Sequence, residues 1–231
     1  MALITRRNVL IYSSGVAAMG WTGCAKSTTG PTTPDASSRP LARPIEDEAR
    51  HHALATKTCI ETHDNIEGPY YRDGAPERWN LVEQRIAGVT LGGTALDIEG
   101  RVTGVDCRTP LANAELDVWH ATPDGHYDND GTMHVPASGF LLRGKLRTDE
   151  QGRYFVRTVV PGRYLNGSQF RPAHVHVKVR APGYAALTTQ LYFPDDPYNR
   201  IDPFIHPSLI MAVDTVKSGA SAHFDFALRP A

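Results

Sequence analysis

Two imidazoles and two phenols in this 231-residue chain are placed as metal ligands would be. His174 and His176 stand in Arg171-Pro-Ala-His-Val-His, Tyr164 closes Pro161-Gly-Arg-Tyr, and Tyr127 closes His120-Ala-Thr-Pro-Asp-Gly-His-Tyr. A phenol, with a pKa of about 10, must lose its proton to bind a metal, and a strongly charged cation makes that loss easy near neutrality. Imidazole suits zinc, copper, iron and nickel alike, whereas two hard phenolate oxygens select an oxidised metal, so ferric iron is expected. Zinc sites draw on Cys, His, Asp and Glu, which puts a zinc enzyme behind that reading. Taken alone, His-x-His fits the polar face of a half-exposed strand, and a single loop tyrosine fits ordinary packing. The four together carry the metal reading.

Strand periodicity must position the pair, because residues two apart share a face. His174 and His176 then lie opposite Val175, Val177 and Val179, so His174 to Arg180 reads as a strand with valines toward a core. Tyr127 and Tyr164 each follow a Pro-Asp-Gly or Pro-Gly turn signal, where loops on a rigid sheet carry functional side chains. Further strands are expected over Ala95 to Val102, Ala114 to Ala121, Arg153 to Val159, Leu187 to Phe193, Leu209 to Val213 and Ala222 to Leu228. In the last, Phe224, Phe226 and Leu228 share one face. Short strands broken by turns give an all-β fold, an antiparallel β-sandwich with long loops carrying the metal site. Helical signal is limited to Glu46 to Lys57 and a turn after Pro76. No phosphate-binding glycine loop, internal repeat or heptad pattern is present.

Composition agrees with one such domain: 41% hydrophobic residues suffice for a core, and a formal net charge of -1 gives no electrostatic reason to bind nucleic acid or an anionic surface. A small-molecule partner is the expectation.

Residues 1–25 read as an export signal, with Thr5-Arg-Arg-Asn-Val-Leu heading the apolar run Ile11 to Trp21 in twin-arginine style. That run is too short to span a bilayer as a helix. Gly23-Cys24 resembles the end of a lipoprotein cleavage box, leaving open whether a lipid on Cys24 attaches the protein to a membrane. Residues 26–44, rich in Ser, Thr, Pro and Ala, read as a disordered linker, and the folded domain is expected over 45–231. An exported, periplasmic or cell-envelope protein with Cys59 and Cys107 remaining invites a disulfide between them; a buried free pair is the alternative.

Four motifs together resemble the intradiol ring-cleavage dioxygenases, the family of catechol, hydroxyquinol and protocatechuate 3,4-dioxygenases. They are Ile66-Glu-Gly-Pro-Tyr-Tyr-Arg-Asp-Gly-Ala-Pro; Pro110-Leu-Ala-Asn-Ala-Glu-Leu-Asp-Val-Trp-His-Ala ending at Tyr127; Gly152-Arg-Tyr-Phe through Tyr164 to His176; and Ala181-Pro-Gly-Tyr through Thr188-Thr-Gln-Leu-Tyr-Phe. The resemblance implies one non-haem Fe(III) per chain, with Tyr127 and His174 equatorial and Tyr164 and His176 axial. It implies that a catechol and O2 are the substrates, and that the ring is cut between its hydroxyl-bearing carbons to give a cis,cis-muconate. Tyr164 would leave the metal and take a substrate proton, Arg171 would stabilise negative charge on the ring, and Gln190 would act behind the ligands. Ile66, Pro69 and Tyr70 would wall the ring pocket, with Trp119 near the iron. Arg163 or Arg72, if either reached the pocket, would favour a carboxylated ring. The helical region that builds the dimer of the cytoplasmic catechol enzymes finds too few residues between Ile45 and Ile66, so that dimer is not carried over and the oligomeric state stays open. The competing class is a non-catalytic, transthyretin-like envelope module that binds a small molecule, which has no need of the full ligand set.

Overall fold

The computed structural model describes residues 59–231 apart from 84, 85 and 87. The expected export signal, linker and helix over Glu46 to Lys57, with Cys24, lie outside the described residues.

Among the described residues the strands are, in order, β1 (Ala95–Gly104), β2 (Glu115–His120), β3 (Arg143–Arg147), β4 (Arg153–Val159), β5 (Tyr164–Asn166), β6 (Gln169–Arg171), β7 (His174–Arg180), β8 (Leu187–Tyr192), β9 (Ala212–Val216), β10 (Gly219–His223) and β11 (Phe226–Leu228). One sheet centres on β1, which has β4 antiparallel on one edge and β10 and β11 parallel on the other, with β9 beyond β10. The second sheet is antiparallel in the order β3-β2-β7-β8. Leu96, Ile98, Val102 and Val156 of the first sheet join Leu116, Val118, Val175, Val177, Val179 and Leu191 of the second in one buried core, the packing of a sandwich. Each such side chain contributes about 1.5 to 3 kcal/mol by leaving water.

The expected strand from Ala222 to Leu228 keeps one register against β1, yet it is interrupted at Phe224 and Asp225. Opposite the break lies Gly100, where a Cβ would sit 1.8 Å from the Phe224 carbonyl oxygen. That oxygen instead accepts from the Tyr154 hydroxyl at 2.7 Å, and the Arg101 N–H donates to the Asp225 side chain at 2.8 Å. The strand expected over Leu209 to Val213 is corrected: Pro207–Leu209 is a 3-10 turn, capped by the His206 side chain, and β9 starts only at Ala212. Pro207 supplies no N–H for a ladder and starts the turn instead.

The face of the second sheet turned away from the core is built in rows. Glu115, Arg147 and Arg180 form the first, Asp117, Lys145 and Lys178 the next, then Trp119, Arg143, His176 and Gln190, and last His174 beside Tyr192. Its first rows are salt-bridged at the surface. Its last rows are buried beneath loops. A disulfide joins Cys59 to Cys107 in the turn after β1, with Cα atoms 5.7 Å apart, as expected for that pair.

Candidate metal centre

The two turns that carry the phenols are pressed together backbone to backbone. A Cβ on Gly125 would lie 2.2 Å from the Arg163 carbonyl oxygen, and one on Gly162 would lie 2.2 Å from that of Pro123. Only glycine permits this approach, and it brings Tyr127 and Tyr164 edge to face with ring centres 5.6 Å apart. From β7, the His174 Nε2 lies 3.2 Å from the His176 Nε2, which lies 3.1 Å from the Tyr127 hydroxyl. The Tyr164 ring centre is 5.6 Å from that of His174. All four expected ligands are therefore brought together, and all four are buried.

Their protonation is set by the surroundings. His174 Nδ1 lies 2.7 Å from the Pro172 carbonyl oxygen and must donate to it, which leaves the Nε2 lone pair facing the cluster. Burial, then the Arg171 charge, pulls the His174 pKa down to about 3. Burial, then the neighbouring His174, holds the His176 pKa well below its ordinary value. Both imidazoles are held neutral, the form that ligates metals. Burial, then Tyr164, raises the Tyr127 phenol well above its usual value, against a smaller pull from Arg143 and Arg171. A phenolate there requires a multiply charged cation close by. Among the described residues no group of three His, Cys, Asp or Glu side chains could hold a metal. Convergent neutral imidazoles with buried phenols thus fit an oxidised iron, which would be held by Tyr127, Tyr164, His174 and His176.

Arg171 faces Tyr164 across the β5 and β6 pair. Its Nε donates to Asp202 at 2.6 Å and its Nη2 to Gln190 at 2.9 Å and to the Tyr192 hydroxyl at 3.1 Å. Burial works against its charge, yet Asp202 holds its pKa above the ordinary arginine value. Its Nη1 is buried without a hydrogen-bond partner. Gln190 is wholly buried rather than outward, and its Nε2 donates to the Ile66 carbonyl at 2.8 Å. Ile66 and Pro69 are exposed beside the cluster, and Tyr70 stacks on Tyr127 at 4.4 Å between ring centres. Trp119 lies parallel to the His176 ring at 4.7 Å.

Several residues of the site were not legible in the sequence. Gly68, at φ 74°, lets the chain pass so near His176 that a Cβ would lie 3.3 Å from its Cε1. Its Gly-Pro setting signalled a turn and nothing more. Asp202, Asp128 and Arg143 gave no local signal, being ordinary charged residues whose partners are distant in sequence. Of the two arginines considered for a carboxylated ring, Arg72 is taken up by Asp128 and the Gly139 and Ala137 carbonyls, and Arg163 binds Asp196 through its Nε.

A family model described as dioxygenase matches residues 66–230. A chlorocatechol 1,2-dioxygenase of Cupriavidus pinatubonensis is 37% identical over 188 residues, covering 72% of this chain and 69% of that protein. Catechol 1,2-dioxygenase 2 of Acinetobacter lwoffii is 40% identical over 147 residues, covering 58% of this chain and 51% of that one. Among solved structures, the dioxygenase domain of a dioxygenase carbohydrate-binding protein fusion from Streptomyces sp. SirexAA-E superposes with TM-score 0.63 at 38% identity, over 74% of this chain and all of that one. The 3-chlorocatechol 1,2-dioxygenase of Rhodococcus opacus 1CP gives TM-score 0.65 at 28% identity, over 81% of this chain and 79% of that one.

Proposed function

This chain belongs to the intradiol dioxygenase family and is a catechol-type ring-cleavage enzyme, and we propose that Tyr127, Tyr164, His174 and His176 hold its single ferric ion. The observation that carries the assignment is the convergence of two neutral imidazole nitrogens and the Tyr127 hydroxyl within 3.2 Å of their neighbours in a buried pocket. Iron, when bound, supplies a Lewis acid that takes the oxygens of a catechol and makes its ring reactive toward O2.

The protein's own residues do the rest. Tyr164, at the start of a three-residue strand, is the base for a catechol hydroxyl proton. Arg171 offers its unpartnered Nη1 to negative charge that develops on the ring, and its pairing with Asp202 keeps it protonated throughout. Gln190 joins Arg171 to the Ile66 backbone, so it ties the guanidinium to the wall. Ile66, Pro69 and Tyr70 give the ring an apolar surface. The substrate and O2 together contain every atom of the ring-opened muconate. The engagement of Arg72 by Asp128 and two loop carbonyls supports catechols without a ring carboxylate over protocatechuate.

A visible spectrum of the iron-loaded protein before and after anaerobic addition of catechol tests this. A red tyrosinate charge-transfer band that shifts with catechol is expected. A protein that stays colourless after iron loading would overturn the ligand assignment and favour a binding module.

We also infer export by the twin-arginine route, with a lipid on Cys24 left to the experiment below. The disulfide supports this, because such bonds persist in oxidising compartments. Fractionation of cells with metabolic lipid labelling tests it, and an unprocessed, unlabelled cytoplasmic protein would overturn it.

A further inference from the structure

We propose that Asp128 is a positioning residue, tying the Tyr127 loop to the pocket wall and to β3 and so setting where the Tyr127 phenol stands. This rests on the reading of Tyr127 as an iron ligand.

The Asp128 side chain is wholly buried and directly follows Tyr127 in the chain. Its Oδ1 accepts from Arg143 Nε at 2.8 Å and Nη2 at 2.6 Å. Its Oδ2 accepts from Arg72 Nη1 at 2.9 Å and from the Leu141 N–H at 3.1 Å. Four donors fill the acceptor capacity of a carboxylate, so its orientation is fixed from every side.

The donors come from two segments far apart in the chain, the loop that follows Tyr70 and the stretch from Leu141 into β3. Arg72 lies two residues beyond Tyr70, the ring stacked on Tyr127. Arg143 stands in the same row of the sheet as Trp119 and His176. Leu141 belongs to the loop returning to β3, whose Ala137 and Gly139 carbonyls accept from the rest of the Arg72 guanidinium. On the other side of the phenol, the Tyr127 N–H donates to Asp130 at 2.9 Å. The ligand is thus stapled through its own amide and through the residue after it. Buried ion pairs are weak sources of stability, because desolvation opposes the attraction, and fixing one geometry is their better-attested use. Nothing in the ring-cleaving chemistry itself requires Asp128 to touch substrate.

The test compares iron affinity, by chelator competition, and the resting charge-transfer maximum in the wild type, Asp128→Asn and Arg72→Gln, with thermal unfolding recorded alongside. Losing an outer partner of a ligand is expected to weaken iron binding about tenfold or more, with a displaced band, most strongly in Asp128→Asn. Val102→Ala, in the core of the opposite sheet, serves as the control: it lowers the melting temperature and leaves band and affinity alone. Should Asp128→Asn not fold, Arg72→Gln decides, since that side chain reaches the surface and its loss leaves the Arg143 pair intact. An unchanged band and affinity in Arg72→Gln, and in Asp128→Asn if it folds, would overturn the proposal. A wild type that shows no band after iron loading would overturn the ligand reading with it, so the two failures are told apart.

Discussion

Tyr164 and Arg171 face each other across two three-residue strands, so the proposed base and the proposed charge stabiliser are set by one small hairpin. Removing the Tyr164 hydroxyl removes the proton acceptor and one ligand but leaves three others in place. Tyr164→Phe should therefore retain iron by metal analysis while catechol turnover falls by about a hundredfold or more. His174→Ala should lose the metal itself, because a neutral imidazole and its fixed tautomer both disappear. Normal turnover by Tyr164→Phe would remove its role as base. At this scale the convergence of the four proposed ligands was readable because histidine paired with tyrosine at such spacings has few other uses. Arg171 was readable only through the family likeness, since a surface salt bridge would look the same in sequence; it is indeed ion-paired, but beneath the surface. Asp128 and Asp202 could not be read, because what distinguishes them is three-dimensional company.

The alternation in β7 was legible residue for residue, because one face must be apolar and the other holds the cluster. β3 was not, since Arg-Gly-Lys-Leu-Arg gives no apolar alternation, and β5 and β6 are too short to show a period. The break between β10 and β11 depends on Gly100 across the ladder, which no local pattern records. The turns have consequences of their own. Gly125 has φ 84° and a backbone oxygen in the space a Cβ would need, so Gly125→Ala both strains a left-handed residue, at about 1 to 2 kcal/mol, and pushes the two phenol-bearing turns apart. The expected outcome is a lower melting temperature together with a weakened tyrosinate band. A variant that lost stability yet kept the full band would show that the close approach of these turns does not set the ligand geometry.

The two sheets are joined at His120, whose Nε2 lies 2.6 Å from the Thr158 hydroxyl across the sandwich. Burial lowers its pKa from 6.5 to about 4, with the Ala121 carbonyl opposing and Arg143 assisting. Above about pH 6.5 His120 is neutral folded or unfolded, and its neutral state costs nothing. As pH falls from there toward 4 the unfolded chain takes up the proton first, so stability declines by about 3 kcal/mol over that window. Urea midpoints measured between pH 7 and 4.5 should show this fall, with the depressed His174 and His176 adding to it, and His120→Gln should make it shallower by the His120 share. An equally steep fall in the variant would assign the effect to other groups. The domain as a whole, an all-β sandwich with loops over one end, was legible from short strands and turn residues, whereas the parallel pairing of β1 with β10 and β11 was not, because both partners are far away in the chain. The disulfide spans 48 residues of sequence, and its reduction should lower stability by about 4 kcal/mol in denaturant titrations with and without reductant.

Between Cys59 and the proposed iron site the chain is stitched down without covalent help. The Thr62 N–H reaches the Ala227 carbonyl, Thr189 donates to the His63 carbonyl, the Asn65 N–H reaches the Thr188 carbonyl, and Gln190 holds Ile66. Those contacts fasten this stretch to β8 and β11 by hydrogen bonds alone, so opening the cross-link leaves the pocket wall with anchors of its own.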